Sequence, residues 1–295
     1  MFGFLNINKP EKLTSHDVVA RLRKVLNIKQ IGHTGTLDPF AVGVLPVCIG
    51  KATRLIEYLN DEKAYIATVQ FGANTDSYDI DGKITAKFDK KVNKEELLNE
   101  LKNFQGEISQ IPPIYSAIKI KGKKLYEYAR EGKNVEIQPR KVFIEKIELR
   151  NFDENTQTAQ IYIKCSKGTY IRSIAYDLGQ NLNCGGYLTE LKRVQAGKFF
   201  IENSINLDDI KTFENAQKYI INPLDVIDLP QIEVNFKGYE KIKFGQILSS
   251  EDLVTEINQV VHDFVILVYN EDVKILCAIA QITSVGIKVK KVFIQ

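Results

Sequence analysis

Asp38 lies in a glycine-rich stretch, Gly32-His33-Thr34-Gly35-Thr36-Leu37-Asp38-Pro39-Phe40-Ala41-Val42-Gly43. Its three glycines let the backbone turn sharply and approach a bound molecule closely. The stretch lacks the Gly-Lys-Ser/Thr ending of a Walker loop and the Gly-x-Gly-x-x-Gly of a dinucleotide turn. Leu37 and Pro39 flank the carboxylate with apolar surface that limits its solvation. Such a carboxylate can act as a nucleophile or electrostatic stabiliser. An Asx-turn, in which the carboxylate bonds only local N–H groups, explains an arbitrary Leu-Asp-Pro as well.

Other chemistries leave no signature. Cys48, Cys165, Cys184 and Cys277 form no Cys-x-x-Cys pair, and His16, His33 and His262 are scattered. Neither a disulfide framework nor a metal site is expected, and a reducing cytoplasm is the natural compartment. The start Met1-Phe2-Gly3-Phe4 has no basic segment followed by a long apolar one, so no signal peptide is expected. No apolar run approaches the roughly 18 residues that span a bilayer.

The 295 residues suit one large domain and a small one, and 44% hydrophobic with 26% charged residues is an ordinary globular balance. The net charge of +3 is uneven. Residues 115–141 carry +5 beside Tyr115, Tyr126 and Tyr128, residues 1–60 carry +4, and residues 230–295 carry −1. Cations interleaved with aromatic rings suit a phosphate backbone and unstacked bases, although a solvated lysine-rich loop has the same composition.

The elements that must position Asp38 follow from periodicity. Residues 2–8 alternate like a strand that Pro10 ends, and Thr14 or Ser15 can cap a helix bearing Val18, Val19, Leu22, Val25 and Leu26. An apolar run covers 44–49, strand-like runs are predicted at 65–71, 142–149 and 159–165, and helices near 94–101, 124–130, 171–181 and 207–219. Their intermixing without a βαβ rhythm predicts an α+β fold with a mixed, largely antiparallel sheet and flanking helices. From about residue 229 the pattern becomes short alternating runs at 232–236, 264–269, 274–282 and 286–293, predicting a small β-barrel or sandwich. The division is expected between 1–228 and 229–295.

Several segments together resemble one family, the TruB-type tRNA pseudouridine-55 synthases. Gly32 through Pro39, continuing through Gly43-Val44-Leu45-Pro46, resembles its catalytic loop. Lys9-Pro10 with Thr14-Ser15 resembles its N-terminal segment, apart from Lys12, where the family usually has glycine. Lys63-Ala64-Tyr65 with Thr75-Asp76 and Asp79-Ile80-Asp81-Gly82 resembles the segment of its active-site tyrosine. Gln110-Ile111-Pro112-Pro113, Ser116-Ala117-Ile118-Lys119 and Leu125 through Arg130 resemble its RNA-facing motif. Cys165 through Arg172, with Asp177-Leu178-Gly179 and Leu191-Lys192-Arg193, resembles its arginine motif. Residues 230–295 only loosely resemble the PUA-type barrel that often ends these enzymes.

The resemblance implies a pseudouridine-synthase catalytic domain with a C-terminal PUA-like β-barrel. It implies an isomerase acting without cofactor or metal on uridine 55 in the T-loop of tRNA, as a cytoplasmic monomer. It implies Asp38 as the catalytic carboxylate and Arg172 as its ion-pair partner. Tyr65 would stack on the target base and move a proton, and His33 would wedge into the space left by the flipped base. Lys9, Tyr170, Lys119, Lys121, Lys123, Arg130 and Leu191 would contact RNA. A desolvated carboxylate needs a cation beside it to stay charged, and arginine's planar fork can hold it bidentately. Two alternatives stand: a non-catalytic RNA-binding or tRNA-folding protein on the same scaffold, and a small-molecule glycosyl or phosphoryl transferase.

Overall fold

The computed structural model describes residues 1–120, 122–133, 135–254 and 263–294. Strand β1 (Gly3–Lys9) stops where Pro10 can no longer supply an N–H. Lys12 turns the chain with φ +69°, taking the left-handed conformation itself. Thr14 then caps helix α1 (Ser15–Leu26): its hydroxyl accepts from the Asp17 N–H, and the Asp17 carboxylate accepts from the Thr14 N–H. Short β2 (Ile31–His33) and β3 (Val42–Ile49) flank the Asp38 loop.

A 3-10 segment (Gly50–Tyr58) leads to β4 (Lys63–Phe71), β5 (Ala73–Thr75) and β6 (Ile84–Lys87). Helix α2 (Lys94–Lys102) and β7 (Gly106–Gln110) precede a small hairpin, β8 (Lys119–Ile120) and β9 (Lys123–Lys124), closed by α3 (Leu125–Arg130). Then come β10 (Arg140–Asp153), β11 (Thr158–Cys165), α4 (Ile171–Asn181) and β12 (Gly186–Ala196). The short β13 (Phe199–Phe200), β14 (Ile205–Asn206), α5 (Phe213–Gln217) and α6 (Pro223–Val226) follow.

The main sheet runs β14-β1-β3-β12-β4-β11-β10-β7, with β13 on β12 and β2 on β3. Its pairings are antiparallel except β1–β14 and β3–β12, as an α+β chain predicts. Alternation along β1 and β3 builds two cores on opposite faces. Leu5, Ile7, Leu45, Val47 and Ile49 join the core formed with α1, α2 and α4, while Phe4, Val44 and Cys48 face the other.

That second core is completed by the C-terminal residues Ile266, Val268, Ile279 and Phe293. The C-terminal elements are β15 (Gln231–Glu233), α7 (Phe236–Lys243), β16 (Phe264–Asn270), β17 (Lys274–Thr283) and β18 (Gly286–Val292); β16, β17 and the residue after β18 supply those four side chains. Here the structure corrects two expectations. The region contains a helix, α7, capped by Asn235, whose side chain accepts from the Gly238 N–H at 3.0 Å. The sheet is open, in the order β15-β16-β17-β18, and no closed barrel forms among the described residues. β15 pairs parallel with β16, so the chain must cross over between them, and α7 lies in that connection.

The helix expected over 207–219 is also broken. A 3-10 turn (Leu207–Asp209) ends at Ile210, and Thr212 restarts the chain as α5 by accepting from the Asn215 N–H.

Candidate active site

The Asp38 loop is pinned from both flanks by buried cations that bind its carbonyls. Arg193, 1% exposed on β12, donates from Nε to Val44 O at 2.7 Å and from its terminal nitrogens to Gly35 O at 3.0 Å and Thr36 O at 3.4 Å. Lys9 is fully buried, and its ammonium donates to Pro10 O, Leu13 O and Pro39 O at 2.8, 2.6 and 3.2 Å. From the start of α1, Ser15 Oγ accepts from the Leu37 N–H at 2.8 Å. Gly43 lets β3 cross β12, since a Cβ there would stand 2.2 Å from Arg193 O. The loop is thereby fixed while the Asp38 side chain remains 32% exposed.

Arg172, in the first turn of α4, meets that carboxylate side-on: Nε lies 3.0 Å from Oδ2, and Nη2 donates to Oδ1 at 3.1 Å. Nη2 also donates to Tyr115 O at 3.0 Å, and Nη1 to Ser77 O at 3.2 Å. Nη1 further stands 3.3 Å from Oδ2 of Asp79. One buried guanidinium thus holds two carboxylates, a geometry that a single ammonium cannot reproduce. The two differ in environment. Asp79 is 4% exposed, and burial pushes its carboxyl above the usual range despite the Ser77 hydroxyl at 2.5 Å and Arg172 beside it. Asp38 faces outward, where a substrate can reach it.

Tyr65 sits on β4 between Ile163 of β11 and Arg193 of β12, only 7% exposed. Burial raises its hydroxyl above the ordinary tyrosine value, with the Arg193 charge opposing. His33 ends β2 opposite Val47, and its buried Nδ1 has no hydrogen-bond partner. Burial, then Arg193, lower its pKa, so the imidazole is neutral at pH 7.

Tyr170 caps α4 one residue before Ile171-Arg172. Its N–H donates to Gln110 Oε1 at 2.7 Å, and its carbonyl accepts from Gln110 Nε2 at 2.9 Å. Leu191 lies on β12 opposite Ala67 and is 6% exposed, within the same core as Tyr65 and Leu37. Lys9, expected to contact RNA, is enclosed, with its ammonium donating to carbonyls around the loop.

The basic hairpin stands beside this site and is rooted in it through the Tyr115 carbonyl. Lys119 and Arg130 are exposed there. Arg130 and Lys124 both lie 5.4 Å from the Tyr126 ring centroid, and Lys123 lies 5.0 Å from that of Tyr128. Lys123 also pairs with Glu131, which reduces the charge it offers outward. Lys121 lies outside the described residues. Asp79 and Arg193 fall within the segments that resemble the family, with nothing in their immediate sequence that marks a role. The Asp-x-Asp-Gly turn and the Leu-Lys-Arg run were the only signals available.

Among the described residues no group of three or more His, Cys, Asp or Glu is placed to hold a metal ion, and no helix is long and apolar enough to cross a membrane.

Known proteins share this fold over nearly the whole chain. A solved Cbf5-Nop10-Gar1 complex aligns with 99% of this chain and 85% of that chain, at a TM-score of 0.72 and 27% identity. An H/ACA RNP bound to a substrate RNA containing 2'-deoxyuridine aligns with 100% and 86%, at 0.70 and 25%. Residues 23–171 match the TruB family pseudouridylate synthase (N terminal domain), and residues 172–227 match the tRNA pseudouridylate synthase B C-terminal domain. A tRNA pseudouridine synthase B of Clostridium tetani is 41% identical over 297 residues, covering 100% of both chains. One of Francisella philomiragia is 48% identical over 219 residues, covering 73% of this chain and 72% of its own. Fold and site define a pseudouridine synthase. The chain belongs to the TruB family of pseudouridylate synthases.

Proposed function

We propose that the protein converts uridine 55 in the T-loop of tRNA to pseudouridine, acting as a cytoplasmic monomer with Asp38 as the reacting carboxylate. The observation that carries this reading is the side-on Arg172–Asp38 pair, buried on the guanidinium side and open on the carboxylate side. The relatives named tRNA pseudouridine synthase B support tRNA as the substrate. Four buried free cysteines suit a reducing compartment.

The reaction breaks N1–C1′, turns the uracil and forms C5–C1′. C5 loses its proton and N1 gains one, so the atoms balance without a redox partner. Asp38 supplies negative charge, or a transient bond, to the sugar or base while the glycosidic bond is open. Tyr65 keeps its proton under burial, so it stacks on the base and offers an O–H in place of a phenolate. His33, neutral and with a free Nδ1, takes the place of the extruded base, which offsets part of the few kcal/mol of unstacking. Tyr170 and Leu191 line the pocket, and Lys119, Lys121, Lys123 and Arg130 meet the phosphate backbone.

The test is a map of pseudouridine in tRNA incubated with purified protein. Modification at position 55 is expected, and none when Asp38→Asn replaces the wild type. Modification at another uridine, or equal modification by Asp38→Asn, would contradict the proposal.

A further inference from the structure

The turn carrying Asp79 is fastened to α4 by more than Arg172. Tyr78 stacks on Tyr176 with ring centroids 4.0 Å apart and planes 17° from parallel. We propose that Tyr78 and Tyr176 are positioning residues for the reaction: their stacked rings fix the Ser77–Asp79 turn against α4 and so set the Arg172–Asp38 geometry. This rests on Asp38 being the reacting carboxylate.

Three observations converge on it. Tyr78 has φ +64°, a left-handed backbone that a bulky side chain rarely adopts and that the surroundings must therefore enforce. Its carbonyl accepts from the Leu188 N–H at 3.0 Å, which leaves the ring as its tie to α4. Tyr176 follows Arg172 by four residues, so both lie on one face of α4. That face takes Ser77 O and the Asp79 carboxylate with a guanidinium, and the residue between them with a ring.

If the turn drifts, two of the acceptors that orient the guanidinium move with it. Arg172 then rotates relative to Asp38 although nothing in the pair itself has changed. The contact between the two residues is ring on ring, and burial pushes the Tyr78 hydroxyl up to about 12, so it keeps its proton at neutral pH.

The experiment is single-turnover tritium release from tRNA labelled at uridine C5, with tRNA affinity measured in parallel. Tyr78→Ala and Tyr176→Ala are expected to lower the chemical rate about 10- to 100-fold, as small misplacements do, while affinity stays within about twofold. Tyr78→Phe and Tyr176→Phe, which keep the stack, should restore the rate. The double alanine variant should be no slower than the slower single one, because a stack is lost only once. Should an alanine variant fail to fold, Tyr78→Leu and Tyr176→Leu carry the same comparison with apolar bulk but no stacked ring. Alanine or leucine variants as fast as wild type, multiplicative losses in the double variant, or a loss confined to affinity would overturn the clamp alone. Wild type that releases no tritium would overturn the proposed function itself, and the clamp with it.

Discussion

At the scale of single residues, the site sets one outward-facing carboxylate among groups that hold the loop. Asp38 is the one exposed member of a set of otherwise buried ions, Lys9, Asp79, Arg172 and Arg193. The sequence drew attention to Asp38 and Arg172 because their motifs are specific. It hid the holders, because a lysine or aspartate is exposed by default and only the fold reveals enclosure. Lys9 offers a test. Burial lowers its pKa from 10.5 to about 8, with Asp38 the leading opposing influence. The unfolded chain therefore keeps this proton up to about 10.5 and the folded one only to about 8. Between those values unfolding takes up a proton, so stability rises with pH through that window. Relative to Lys9→Met, wild-type stability in urea should gain up to about 3 kcal/mol between pH 8 and 10.5. A pH-independent difference between the two proteins would refute the buried-ammonium assignment.

At the scale of elements, α4 and the basic hairpin divide the work. Helix α4 was legible to the residue, since its apolar period is clean from Ile171 to Leu178. Strand β12 is not legible as a strand, although it supplies Arg193 and lies between β3 and β4. Its two register shifts, at Leu188/Glu190 and Arg193/Gln195, break the two-residue alternation on which a strand is recognised. The hairpin was legible as charge, and under the proposed function it binds RNA. Lys119→Glu and Arg130→Glu should weaken tRNA binding and each reduce the salt slope of log affinity by about 1. The rate at saturating tRNA should stay near wild type. An unchanged slope in binding titrations across salt concentration would remove the hairpin from the interface.

At the scale of the whole molecule, the C-terminal sheet shares a core with the main sheet. Phe293 stacks on Phe2 at 5.6 Å and lies beneath Arg54 at 5.4 Å, while Lys51 donates to Phe293 O at 3.0 Å. Composition predicted a change of character near residue 229 but not this shared core, because alternation tells which face is apolar and not what covers it. Phe293→Ala should cost about 3 kcal/mol, the lower end for a buried phenylalanine. It should shift a single cooperative melting transition in calorimetry, and two separate transitions would contradict the shared core. That folded whole brings positions 38 and 172 together across 134 residues of chain. The most direct test of the account is therefore Arg172→Lys under single turnover on C5-tritiated tRNA, with affinity measured alongside. Charge kept but the bidentate fork lost should slow tritium release by about 10²-fold or more, with affinity within about threefold. A chemical rate equal to wild type would contradict the claim that the paired carboxylate does the chemistry.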